Sequence, residues 1–116
     1  MIEKNDLDKM TKIINLCDLA LRLTEQGKIR WSQRPNHECT YRTFLTNTVL
    51  QIAMQTKQEK EEFEISISAR NSAVEWENDW ISCDRTGILS QLYYRISNMH
   101  MQDLLSLVVD DLKERI

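Results

Sequence analysis

Two segments, Val49-Leu50-Gln51-Ile52-Ala53-Met54-Gln55 and Phe63-Glu64-Ile65-Ser66-Ile67-Ser68-Ala69, decide how the rest of the chain is read. Leu50, Ile52 and Met54 fall on one side of the first, and Phe63, Ile65, Ile67 and Ala69 on one side of the second. That two-residue alternation is the mark of strands that bury one face. Between them, Thr56-Lys57-Gln58-Glu59-Lys60-Glu61-Glu62 is mostly charged and reads as a solvated hairpin tip.

Working outward, Cys39 to Thr46 sets Tyr41, Thr43 and Leu45 against Arg42, Phe44 and Thr46, and Thr46-Asn47 supplies the next turn. Before it, Lys28-Ile29-Arg30-Trp31-Ser32 alternates as a short strand, closed by the turn Arg34-Pro35-Asn36-His37. On the far side, Asn71-Ser72 turns the chain into Ala73-Val74-Glu75-Trp76, a fifth short strand. The polar positions Thr40, Arg42, Gln51, Gln55, Ser66 and Ser68 should then line an outward sheet face.

Helical spacing brackets this middle. Asn5 or Asp6 is placed to cap a helix carrying Leu7, Met10, Ile13, Ile14, Cys17, Ala20 and Leu21, with Gly27 as its stop. Asp84 or Thr86 is placed to cap a second that carries Ile88, Leu89, Leu92, Tyr93 and Ile96 and ends near Ser97-Asn98. From Gln102 onward, Leu104, Leu105, Val108, Val109 and Leu112 form the stripe of a third. The expected fold is α+β in one domain over residues 1–116: an N-terminal helix, an antiparallel β-meander of four to five strands, and two C-terminal helices packed on one face of the sheet.

Bulk properties narrow the function. With 41% hydrophobic and 28% charged residues and no long apolar run, nothing in the sequence asks for a membrane, and the polar start at Met1-Ile2-Glu3-Lys4 predicts a cytoplasmic protein. Cys17, Cys39 and Cys83 are odd in number and far apart, which suits a reducing compartment, and each reads as a packed hydrophobe. The net charge of −3 disfavours general nucleic-acid binding. It is unevenly spread: residues 28–42 carry four basic side chains against one acidic, and residues 57–79 three against seven.

Motifs for chemistry are scarce. The two glycines, Gly27 and Gly87, read as helix boundaries and not as a phosphate loop, so no cofactor is expected. His37-Glu38-Cys39 places an imidazole, a carboxylate and a thiol close together, but a metal site or activated thiol needs a further group such as His100 or Cys83. His100, between Met99 and Met101, reads more simply as a group that bonds carbonyls at a helix end. Glu75, Glu77 and Asp79 alternate with Trp76 and Trp80 as a solvated face. Lys28, Arg30, Arg34 and Arg42, with Trp31 and Tyr41, have the cationic and aromatic mix that tracks a single-stranded nucleic acid, although both rings serve equally as core anchors.

The stretch Leu21-Arg22-Leu23-Thr24-Glu25-Gln26-Gly27-Lys28-Ile29-Arg30-Trp31, followed by Tyr41-Arg42-Thr43 and later by Leu92-Tyr93, resembles a pattern in small uncharacterised bacterial helix/β-meander/helix domains. Such domains occur alone or with conflict and defence proteins. The resemblance implies an adaptor or immunity role without catalysis, with Gly27 ending the helix, Trp31 anchoring the first strand, Tyr41 opening the second and Leu92-Tyr93 packing from the later helix.

The expectation is therefore a non-enzymatic protein-binding module, an immunity or antitoxin protein or a defence adaptor. Its partner would be a basic toxin or defence effector met by Glu59, Glu61, Glu62, Glu64, Glu75, Glu77 and Asp79. The alternative is a small nucleic-acid-binding or processing protein using Lys28, Arg30, Arg34 and Arg42. A homodimer through exposed sheet edges is compatible with either.

Overall fold

The computed structural model of the chain describes residues 4–70 and 87–116. At its centre, β3 (Thr48–Lys57) and β4 (Lys60–Ala69) pair antiparallel over their full length, from Thr48 opposite Ala69 to Lys57 opposite Lys60. β2 (His37–Phe44) pairs with β3, and the short β1 (Ser32–Arg34) pairs with β2, giving an antiparallel meander in the order β1-β2-β3-β4. The expected fifth strand, at 73–76, lies outside the described residues. The first strand is displaced from its expected place at 28–32: Ile29 and Trp31 instead precede β1 and pack against the core.

The β3–β4 connection is tighter than a charged seven-residue tip. Gln58 and Glu59 alone form the loop, with φ of 50° and 65°. Two successive positive φ values match the twist of the flanking strands, so the pairing runs to the last residue before the turn. Glu61, Glu62 and Glu64 consequently belong to β4.

α1 (Lys4–Glu25) begins before Asn5 and Asp6, which lie within it and do not cap it. Its end follows the sequence closely. Gly27, at φ 71°, donates its N–H to the Thr24 carbonyl, and Lys28 donates to that of Leu23. This paired closure needs a left-handed residue at Gly27, a conformation that costs a side-chain-bearing residue free energy. Ile13, Cys17, Ala20 and Thr24 form its buried edge.

α2 (Ile88–Lys113) corrects a larger expectation: it is one continuous 26-residue helix, not two. Ser97 and Asn98 lie inside it, and neither is a proline or glycine that would break the hydrogen-bond ladder. Gly87 is its N-cap residue, without a side-chain cap bond, while the expected caps Asp84 and Thr86 lie outside the described residues. Leu89, Leu92, Tyr93 and Ile96 are buried against β3 and β4, and α1 packs against α2. Among the described residues both helices thus serve the sheet face that carries Tyr41, Ile52, Phe63 and Ile65.

The second sheet face corrects four of the six positions expected to form an outward polar surface; Gln55 is exposed as expected and Arg42 is half-buried. Thr40, Gln51, Ser66 and Ser68 are all buried, Ser66 completely. Arg42, Gln51 and Ser66 lie in register across three strands, and Arg34 Nη1 donates to Gln51 Oε1 at 3.5 Å. The Ser66 hydroxyl has no hydrogen-bond partner among the described residues.

The core and the end of α2 should respond differently to truncation. Leu92→Ala, at a fully buried position, should cost about 2–5 kcal/mol in urea-unfolding free energy. Leu105→Ala, at a position 57% exposed, should change the monomer's stability by less than about 0.5 kcal/mol.

Candidate functional site

The groups singled out from the sequence are dispersed among the described residues. Glu59 lies at the exposed hairpin turn. Glu61 accepts a hydrogen bond from the Tyr94 hydroxyl on the helix side of the sheet. Glu62, on the opposite face, pairs with Lys57 at 3.6 Å, and Glu64 is half-buried on that same face. Strand alternation divides these carboxylates between two faces, so they form no single acidic patch. Glu75, Glu77 and Asp79 lie outside the described residues.

The basic set is divided in the same way. Lys28 and Arg30 are exposed in the loop after α1, whereas Arg34 reaches Gln51 and the Arg42 guanidinium lies 5.6 Å from the Phe44 ring centroid. The aromatic partners of the nucleic-acid reading are committed elsewhere. Tyr41 is buried, with Tyr93 and His100 edge-on at 5.7 and 5.6 Å. Trp31 Nε1 donates to Thr24 Oγ1 at 2.9 Å, and that hydroxyl donates to the Ala20 carbonyl at 2.6 Å. Both rings hold the core together, and Tyr41 offers no face to a base.

His37 is exposed, with Nδ1 2.9 Å from the Pro35 carbonyl oxygen, and Cys39 is half-buried farther along β2. Cys83 lies outside the described residues, and among those described no three metal-ligating side chains gather. Cys39 instead meets the Tyr93 hydroxyl. Burial, and then this hydrogen bond, raise the Tyr93 phenol well above its ordinary value of 10.0. The hydrogen bond to Glu61 raises that of Tyr94.

Two concave regions flank α1. A cleft of about 350 Å³ lies between the end of α1 and α2, with Arg30, Trp31, His100 and Asp103 on its wall. An open apolar groove of about 470 Å³ runs along the other side of α1, lined by Leu16, Leu19, Leu23, Leu45 and Leu50 among others. Thr24 also lines the first cleft, but its hydroxyl is engaged there by the Ala20 carbonyl and the Trp31 indole.

The feature that stands out is the second half of α2. All sixteen residues from 101 to 116 are exposed, and they include Met101, Leu104, Leu105, Leu107, Val108, Val109, Leu112 and Ile116. The protein measures 64 × 36 × 27 Å, and its radius of gyration of 16.1 Å exceeds the roughly 13 Å of a compact chain this long. An apolar helical arm extends beyond the helix–sheet core. The sequence marked its stripe but assigned it to the core. The signal that separates the two is angular, because on a continuous helix the arm's stripe does not line up with the stripe of Leu89, Leu92, Tyr93 and Ile96.

Comparison with protein-family models, with curated proteins and with solved structures finds no match to this chain.

The raised phenol of Tyr93 predicts a pH dependence. Above the unfolded value near 10 the unfolded chain releases this proton before the folded one, so folding stability present below pH 10 should fall as pH rises further. Urea midpoints measured from pH 7 to about pH 11 should stay level and then drop, and Tyr93→Phe should flatten the drop.

Proposed function

We propose that this protein is a non-enzymatic protein-binding module whose contact surface is the C-terminal arm of α2. The observation that carries this reading is the run of large apolar side chains on residues 101–116, each at least 43% exposed. Monomeric soluble proteins keep contiguous apolar patches to a few hundred Å², and larger ones mark contacts with other molecules. An amphipathic helix that offers anchors at three- and four-residue steps is a standard way to meet another helix or a hydrophobic groove.

The composition of the arm favours protein over membrane. Its charged residues are Asp103, Asp110, Asp111 and Glu114 against Lys113 and Arg115. An interfacial membrane helix draws much of its binding from basic residues facing anionic lipid, and this helix is net acidic. An adaptor, immunity or antitoxin role agrees with the resemblance to bacterial defence-associated domains. The arm, not the dispersed carboxylates of β4, is then the surface that performs it.

The two surfaces have opposite salt responses. Apolar docking through the arm should hold or strengthen as salt rises, whereas steering by Glu59, Glu61 and Glu62 weakens. Tagged protein should retain its partner in native cells at about 0.5 M NaCl, lose it on the double substitution Leu105→Asp/Leu112→Asp, and keep it when Glu59, Glu61 and Glu62 become lysine. Loss with the lysine variant, and retention with the aspartate variant, would return the contact to the hairpin.

A further inference from the structure

Placed on an ideal helix at 3.6 residues per turn, the buried residues Leu89, Leu92, Tyr93 and Ile96 cover one arc of α2. The arm's Met101, Leu104, Leu105, Val108, Val109 and Leu112 cover another, centred about 140° round the axis. The helix is continuous through the change at Ser97 and Asn98, as its unbroken span shows. Sliding α2 along the sheet would therefore bury Leu107, which falls on the Leu89 side of the axis, and leave those other six apolar side chains of the arm uncovered. The cover has to approach from the opposite side.

We propose that this cover is the arm of a second copy of the chain, paired antiparallel across a two-fold axis. The inference rests on the reading of the arm as a protein-binding surface and names its partner. Spacing is the first argument. Met101, Leu105, Val108 and Leu112 follow one another at steps of four, three and four, the repeat of a helix–helix seam. With the axis between residues 106 and 107, Met101 meets Leu112 of the second copy and Leu105 meets Val108. Every layer is then apolar, and each occurs twice by symmetry, as a self-complementary interface requires. Leu104 and Val109 widen the seam on its flanks. In a parallel pair the two helix dipoles would align unfavourably.

Area is the second argument. Six seam and flank side chains, between 43% and 60% exposed, present on the order of 600 Å² per protomer. Two arms that cover this area completely bury on the order of 1,200 Å², the lower bound for a specific, stable interface. Charge is the third. The arm carries four acidic groups and two basic, so the residual repulsion between copies is screened by salt and the dimer tightens as ionic strength rises.

Sedimentation equilibrium of the full chain over about 1–300 µM tests this directly. The expected result is a shift from 13.8 kDa to twice that mass with rising concentration, strengthened by salt. It should be abolished by Leu105→Asp/Leu112→Asp, with the far-UV circular dichroism unchanged and the urea midpoint unchanged when read at about 1 µM, where both proteins are monomeric. A monomer at every concentration overturns the pairing, and so does a dimer that survives these substitutions. Orientation is tested by mixing a Met101→Cys protein with a Leu112→Cys protein under mild oxidation, with the unsubstituted chain as blank. Mixed disulfide dimers support the antiparallel seam, and same-variant dimers overturn it. A monomeric chain whose arm variant still loses a different protein partner in cells removes only the self-pairing. Arm substitutions without effect in both experiments remove the binding reading as well.

Discussion

The rest of the molecule depends on how α2 is anchored: among the described residues, its first half is the part that packs on the sheet. Leu89, Leu92, Tyr93 and Ile96 press into the sheet, where Tyr93 lies 5.7 Å from the Tyr41 ring and 5.6 Å from that of Phe63. Aromatic contacts of this edge-on kind add to the burial of their area. They fix the helix axis relative to β2 and β4, and the Tyr94–Glu61 hydrogen bond adds a contact at the rim. Because the helix continues without a break, the same anchor fixes the direction in which residues 101–116 project. Neither proline nor glycine interrupts the helix between Ile88 and Lys113, so the arm continues the axis set by the anchor.

α1 stabilises this anchor from behind. Cys17 and Ala20 are small, which lets α1 approach α2 closely, and Thr24 ties the helix end to Trp31. The turn at Gly27 then returns the chain to the sheet, so the indole and the α2 residues around Ile96 and His100 share one wall of the cleft. Structural demands on Trp31 and Tyr41 account for the ring pattern that the sequence alone presents equally well as a stacking platform for bases.

How far the sequence was legible follows from which signals are local. β3 and β4 could be read because each alternates apolar residues over seven positions, and Gly27 because a left-handed helix stop favours glycine. The turn at Gln58 and Glu59 was missed because neither residue is the Asn, Asp or Gly that usually accepts positive φ; pairing of the long flanking strands imposed it. The buried polar face was missed because Gln51, Ser66 and Ser68 look solvent-facing by type, and burial of a second sheet face is a tertiary fact. The supposed break at Ser97 and Asn98 was a real signal given the wrong cause. The apolar stripe changes side there, which reads as the end of one helix and the start of another, yet the helix continues through.

The pairing of two arms across the side that this change exposes is the proposal's central claim. Hydrogen–deuterium exchange of the α2 amides, followed across protein concentration, measures it most directly. The account predicts that protection in residues 101–113 rises with concentration while that of residues 89–96 and of β3 and β4 stays constant. Exchange in the arm that is independent of concentration and equally fast throughout would contradict it.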